Sequence, residues 1–528
     1  MEIQVRDGFL VMQDLPHNCI FNKVRTGCGA TTIALTNNEN YIIAVPTTEL
    51  IENKCYPPKL KELWQGKIRK AGLSPALNLF GLYGNFTTTL QGKLRAYLKQ
   101  DGIKKIICTY DKLPKLLSYI NPKEFRLLVD EYHYFLKAYS YRDKAIDGIL
   151  EHYCEFKSYC FMSATPIHTD FRPDTLSNVP EEIAVWKDTE TITVLPYKTN
   201  TPYMIAAKLI MAYQEDGYIT INNERSDEAY FFINSVTDIK KILEQTNLTE
   251  DDYRIICADN DKNKKTLEKY PISSSVDAPK KFNFITSKAF DGVDFFSETG
   301  MCFIISNTQN TNTLLSIDMD IPQIAGRLRN KSNPFRHKII HIFNTKQNCN
   351  TLTYEDMQCE LQNELTFAHE RANLFSQLSD GAKLQQRKET EGSSSYLKYD
   401  KKTNSFIVND MLFKLKLFNY KLINTVYSST HSLVTQYNQS GIQTTPVKWE
   451  IAPEKYVKDL ISKPSFREEL KTYISIKEKN PLTIGGEIQR IEDRYPLLVP
   501  AYHRIGLKEL KRLRSITAIK KALEALER

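Results

Sequence analysis

An apolar run that closes on two adjacent acids is the sharpest chemical signal in this chain: Phe125–Val129, then Asp130 and Glu131, with His133 just beyond. In a parallel α/β sheet, ligands bind at the carboxyl ends of the strands. An acid there can hold Mg²⁺ through water, and the next acid can orient or deprotonate an attacking water. Taken alone, a chance acid pair on a solvated strand end explains the residues about as well. Upstream, Lys23 to Thr32 reads KVRTGCGATT. Two glycines around one residue, two threonines and a helix-like IAL suit a loop that wraps a phosphate. Glycine lets backbone N–H groups turn inward, a helix N-terminus favours the anion, and a Thr hydroxyl can join a Mg²⁺ shell. A tight strand–helix turn would use the same tetrapeptide.

Such residues need a rigid sheet to hold them. Short apolar runs recur at Tyr41–Val45, Lys105–Cys108, Phe125–Val129, Tyr159–Met162, Tyr230–Ile233, Phe282–Ile285, Cys302–Ile305 and Lys338–Phe343. Their length and flanking turn residues read as buried strands, and the helix-like stretches between them imply parallel sheets covered on both faces. Pro173, Pro180, Pro196 and Pro202 punctuate Asp170–Tyr203, which reads as a boundary. The expected fold is α/β: two tandem parallel-sheet domains, 1–185 and 186–346, followed by a mainly helical accessory domain, 347–528. In the last part, Glu355–Leu378 reads as a long helix, Glu391–Tyr396 as a loop and Lys398–Lys414 as a hairpin.

The chain has 528 residues, 41% hydrophobic and 25% charged, which argues against global disorder. The net charge of +8 permits a nucleic-acid partner without demanding one. Ten scattered cysteines form no CxxC pair and no zinc spacing, which suits a reducing, cytoplasmic setting. The N-terminus lacks a charged leader with a long apolar run, and no stretch is apolar enough to span a bilayer, so neither secretion nor a membrane is expected.

The order of short motifs resembles superfamily 2 helicases of the DExH/DEAD-like kind. Thr26-Gly27-Cys28-Gly29-Ala30-Thr31 resembles motif I, and Ala44–Leu50, with Pro46 and Thr47, resembles motif Ia. Thr109–Leu113 resembles the family's next segment. Asp130-Glu131-Tyr132-His133 is similar to motif II and Ser163-Ala164-Thr165 to motif III. Phe231–Ser235 fits motif IV. Thr286–Asp294, with Ser287 and Gly292, resembles motif V, and Gln323–Arg329 resembles motif VI. The resemblance covers about 20–345. It implies two RecA-like domains with ATP and Mg²⁺ in the cleft between them.

It also implies roles. Lys23, Arg25, Thr26, Gly27, Cys28, Gly29, Ala30, Thr31 and Thr32 would line the nucleotide, with Gly292 and Asp294 from the second domain. Thr31 and Asp130 would serve the metal. Asp130, Glu131, His133, Gln323, Arg327 and Arg329 would serve catalysis, with Arg329 a candidate arginine finger. Ser163, Ala164 and Thr165 would couple hydrolysis to domain motion. DNA or RNA, as a single strand, would cross Pro46, Thr47, Thr109, Thr286 and Ser287.

The sequence departs from the pattern at Ala30, where the family's phosphate loop carries lysine. Either Lys23 or Arg25 supplies the charge, or the chain is a scaffold that binds nucleic acid without turnover. Arg329 also stands one residue earlier than the commonest spacing. A motor from a restriction or replication-initiation complex is a third reading, for which no nuclease or methylase motif is found. The unusual loop and compact length would suit a phage-encoded or mobile-element replication protein, with replication partners met through the C-terminal part. There, His503–Arg528 carries eight Lys/Arg against three Glu at helical spacing. That pattern suits two basic helices split near Ser515–Thr517, which could grip phosphates. An ordinary amphipathic pair with a solvated basic face would look the same.

Overall fold

The computed structural model describes residues 4–6, 8–56, 70–74, 77–187, 190–274, 277–290, 293–346, 352–450, 453, 466–479 and 486–526. Its first sheet has eight strands: β1 (Cys19–Asn22), β2 (Tyr41–Val45), β3 (Gly72–Leu73), β4 (Leu79–Leu82), β5 (Lys105–Thr109), β6 (Arg126–Asp130), β7 (Ser158–Ser163) and β8 (Glu181–Ile183). The spatial order is β8-β1-β7-β6-β2-β5-β4-β3. All neighbours run parallel except the edge pair β3–β4. The central strands YIIAV and KIICT are buried along their whole length, because helices cover both faces.

Helices α1 (Ala30–Thr36) and α2 (Thr48–Cys55) cover one face, with Ile33, Ala34, Ile51 and Cys55 against Ile43 and Leu128. Helices Thr88–Leu98 and Tyr139–His152 cover the other, where Leu94, Ile146 and Ile149 share a core with Ile42 and Val129. Register then decides what meets at the carboxyl edge. Asn22 lies opposite Ser163 and Asp130 opposite Met162. The ends of β1, β6 and β7 are therefore level.

The second sheet has seven strands: β9 (Thr193–Lys198), β10 (Ala229–Phe232), β11 (Tyr253–Ile256), β12 (Phe282–Ile285), β13 (Met301–Ser306), β14 (Lys338–Phe343) and β15 (Gln443–Thr444). They are ordered β11-β12-β10-β13-β14-β9-β15 and are parallel throughout. The short helix α3 (Asp320–Ala325) lies between β13 and β14 in the chain. Every apolar run expected to be a strand is one, within a residue or two. The proline-punctuated stretch is less of a break than its composition suggests: Glu181–Ile183 joins the first sheet and Thr193–Lys198 is an interior strand of the second. Parallel pairing with β14 holds Pro196 there.

Beyond Phe343 the chain returns to both sheets. Helix α4 (Tyr354–Ser376), the hairpin Leu397–Asp400/Ser405–Val408 and α5 (Asp410–Tyr420) add Leu365, Phe375, Phe406 and Phe413 to a core of the first sheet. Glu391–Ser393, expected in a loop, instead end the helix Asp380–Ser393. A π-helical turn, Lys421–Thr425, follows. Val426, Tyr427 and α6 (Thr430–Gln439) then join the core of the second sheet. This one stretch spans both sheets, and its π turn, a geometry often found at functional sites, marks the crossing.

Residues Met1–Lys455 form one compact unit and Tyr456–Arg528 another. The second holds α7 (Phe466–Lys479), α8 (Gly486–Arg494), α9 (Leu498–Arg504), α10 (Leu507–Leu510) and α11 (Ile516–Ala525) around Tyr473, Ile491, Leu498, Leu510 and Ile519. Ser515 caps α11, its side chain accepting from the Ala518 amide at 3.2 Å. Among the described residues, no helix is long and apolar enough to cross a membrane.

Candidate active site

The loop between β1 and α1 turns through three left-handed residues, Val24, Gly27 and Gly29, and Glu131 turns the chain the same way after β6. Glycine adopts that conformation without strain, whereas branched Val24 does so at a cost. Level strand ends and these turns set the loop beside the acids. Thr31 Oγ1 donates to Asp130 Oδ2 at 2.8 Å. Lys23 Nζ donates to Glu131 Oε1 at 2.7 Å and to Asp130 Oδ1 at 3.4 Å. Burial pulls the pKa of Lys23 down, but Asp130 and Glu131 outweigh it and hold the ammonium above its ordinary range. The Cys28 thiol between the glycines is buried, and burial pushes its pKa up.

Glu131 also anchors a network. His133 Nδ1 lies 2.9 Å from Ser163 Oγ and 3.3 Å from Glu131 Oε2. Ser163 Oγ accepts from the Thr165 amide at 2.9 Å, while Ala164 is buried between them. From the second sheet, Gln323 Nε2 donates to Glu131 Oε2 and to Thr165 Oγ1, both at 3.2 Å. Residues 192 positions apart thus share one buried network.

The two arginines differ. Arg327 is buried, and its guanidinium donates to Gln323 O at 2.8 Å and Val293 O at 3.3 Å. Arg329 donates to Asp294 Oδ1 at 2.8 Å and to Thr26 O at 3.4 Å. A Cβ on Gly27 would lie 2.5–2.7 Å from its guanidinium. Arg329 therefore lies directly on the loop. Further contacts join the sheets: Lys288 with Glu49 at 2.9 Å, Tyr134 Oη to Ser287 O at 3.3 Å, and Lys137 with Asp320.

Other residues singled out in the sequence sit apart from this cluster or engage differently. Arg25 lies over the Trp186 ring, 4.4 Å from its centroid, and the Trp186 indole donates to Lys23 O at 3.0 Å. Thr32 lies in the first turn of α1, its amide donating to Gly29 O at 2.9 Å. Thr47, Thr109 and Thr286 are buried. Thr47 caps α2, Thr286 Oγ1 donates to Ile256 O at 3.2 Å, and Pro46 O accepts from Arg142. Gly292 lies outside the described residues.

Two residues escaped the sequence reading. Trp186 was hidden in the proline-rich stretch. Lys54, in the last turn of α2, is half-buried and interacts electrostatically with Asp130 and Asp294. Burial lowers its pKa, and Lys23 adds to that. No motif marks it; only the packing of α2 places it there.

A hydroxyl and a carboxylate oxygen together suit a hard cation that keeps its waters, so Thr31 and Asp130 fit Mg²⁺. Among the described residues no cluster of three or more His, Cys, Asp and Glu could hold a metal unaided.

No family model and no curated protein matches the sequence. Among solved structures, the chain is similar to the DEAD-box helicase Mss116 bound to ssRNA and UDP-BeF, at 13% identity and TM-score 0.40, over 67% of this chain and 78% of that one. It is similar to S. cerevisiae Dbp5 bound to RNA and ADP BeF3, at 13% identity and TM-score 0.39, over 63% and 80%. It is also similar to the DUF1998 helicase MrfA bound to DNA, at 14% identity and TM-score 0.37, over 76% and 53%. Scores this low add nothing to what the strand order establishes. The chain thus sets two parallel α/β sheets in tandem, with a loop and strand-end acids on one facing a glutamine and arginines from the other.

Proposed function

We propose that this chain is an ATP-driven motor on single-stranded nucleic acid, with the nucleotide held between the two sheets. The observation that carries the reading is the contact of Gln323 with Glu131. A buried glutamine from one domain on a buried acid of the other gives a site whose assembly depends on cleft closure. In a working cycle Glu131 orients or deprotonates the attacking water, and the loop amides around Gly27 and Gly29 receive phosphate. Arg329, already on the loop, neutralises charge that develops on the transferring group, and Gln323 reports closure through Thr165. Thr31 and Asp130 would hold Mg²⁺, which when bound would supply electrostatic neutralisation of the phosphates. Lys54 supplies the ammonium that Ala30 lacks. Opening after turnover separates Gln323 from Glu131 and moves the domains.

A second reading has its own observation. Lys23 fills the space between the acids, as a cation would. A protein whose acids are neutralised internally could bind nucleic acid as a scaffold without turnover. Mg²⁺-dependent ATP hydrolysis, with and without single-stranded DNA or RNA, separates the two. The motor reading expects stimulated turnover that Glu131→Gln abolishes. Turnover no greater than that variant's background, with nucleic-acid binding intact, leaves the scaffold.

A further inference from the structure

The chain's positive charge is concentrated at one end. Tyr456–Arg528 contains sixteen Lys and Arg against ten Asp and Glu, a net of +6, while the whole chain carries +8. Within that unit the charge gathers around a cleft of about 370 Å³. Helix α7 contributes Arg467, Lys471, Ser475 and Glu478, spaced by three and four residues and so on one face. Lys511 and Arg514 line the other side, and Leu470, Ile474 and Leu510 form the floor. All three floor residues are buried in the unit's core, so the cleft's shape is held by packing.

Lys511 is neutralised by Glu478 at 2.5 Å. Arg467, Lys471 and Arg514 have no ion-pair partner among the described residues, and all three are exposed. Long cationic side chains free to spread into water lower their mutual repulsion by doing so. Three unpaired cations lining one concavity are stabilised by an anion that several can share. A polymer with regularly spaced phosphates satisfies all three at once and releases its counterions.

We propose that this cleft is a binding site for the phosphodiester backbone of single-stranded nucleic acid. The site stands independently of ATP turnover, because no part of it belongs to the two-sheet unit. It gives the protein a grip on its strand that does not depend on the nucleotide state.

The test uses the full chain without nucleotide. A fluorescent single-stranded DNA and the matching RNA are titrated by anisotropy over a salt series. In the variant with Arg467→Ala, Lys471→Ala and Arg514→Ala together, three lost phosphate contacts should flatten the log–log salt dependence by about 2, at roughly 0.7 per contact. Affinity should fall at least about tenfold at low salt, with an unchanged melting temperature. Arg467→Lys with Arg514→Lys should keep the slope. An unchanged slope and affinity in the triple variant overturns the proposal. So does loss of binding to an acidic polypeptide with nucleic-acid binding intact, which would assign the cleft to a protein partner. Glu131→Gln, which removes turnover, should leave this binding untouched, so the two proposals fail separately.

Discussion

Lys23 donates to Glu131 at 2.7 Å, so the lysine that leads into the glycine loop is held by the acids and not by the open cleft. Lys23→Ala would leave two buried carboxylates without their cation. Removing one partner of a buried pair costs about 3–5 kcal/mol, so a clear drop in the urea midpoint is expected. The pKa of Lys23 is raised in the folded state, so its contribution is complete below the ordinary lysine range and is lost only as pH climbs through the raised value. The drop should therefore be equal at pH 6 and pH 9 (roughly, both below a lysine's usual pKa). A midpoint unchanged by the substitution would show that Lys23 is not coupled to the acids.

Lys54 carries the opposite expectation. Its shift is downward, from burial, which suits an ammonium that awaits an anion. Lys54→Ala should lower kcat/KM for ATP by roughly 10- to 100-fold, as expected for a lost charge-assisted contact, with the melting temperature nearly unchanged. Wild-type activity should decline on the alkaline side as Lys54 loses its proton. Lys54→Arg should move that limb to higher pH. Equal kcat/KM in wild type and Lys54→Ala would remove this residue from the site.

Gly27 and Gly84 both have positive φ, at +68° and +71°, but differ in what surrounds them. A Cβ on Gly84 meets open space, so Gly84→Ala should cost only the backbone strain, on the order of 1 kcal/mol. On Gly27 the Cβ also meets the Arg329 guanidinium at 2.5–2.7 Å. That side chain can swing away, so Gly27→Ala should cost little more stability while moving Arg329 off the loop. Steady-state kinetics should show a fall in kcat of tenfold or more for Gly27→Ala and none for Gly84→Ala. Equal effects would mean that Arg329 contributes nothing at the loop.

His341 lies inside the second sheet, fully buried, with Nδ1 2.6 Å from Tyr437 Oη and Nε2 2.9 Å from Ser306 Oγ. Burial holds its pKa down at about 3. A depressed value means that the unfolded chain takes up the proton first. The contribution is present above the unfolded pKa of about 6.5 and is lost as pH falls toward 3. Between neutral pH and pH 5 the loss should approach about 2 kcal/mol. Chemical denaturation at both pH values should show this loss in wild type and a smaller one in His341→Gln.

What the residues determined alone was local. Eight apolar runs became strands because a segment with no polar face has to be buried on both sides. The glycine loop and the acid pair were legible because their chemistry is carried by adjacent residues. What only the tertiary structure decided was long-range. Register made the ends of β1, β6 and β7 level, and so directed Lys23 to Asp130 and Glu131. Domain apposition brought Gln323 to Glu131 and Arg329 to the loop. Lys54, on another helix, feels the charges of Asp130 and Asp294, with no spacing to reveal it. The stretch from Tyr354 to Gln439 read as part of a separate domain because its helices looked self-contained. It joins the cores of both sheets because its apolar residues find more area to bury there than they could supply to one another. Sequence patterns record which face of an element is apolar; which partner covers that face is settled only when all the elements compete for it.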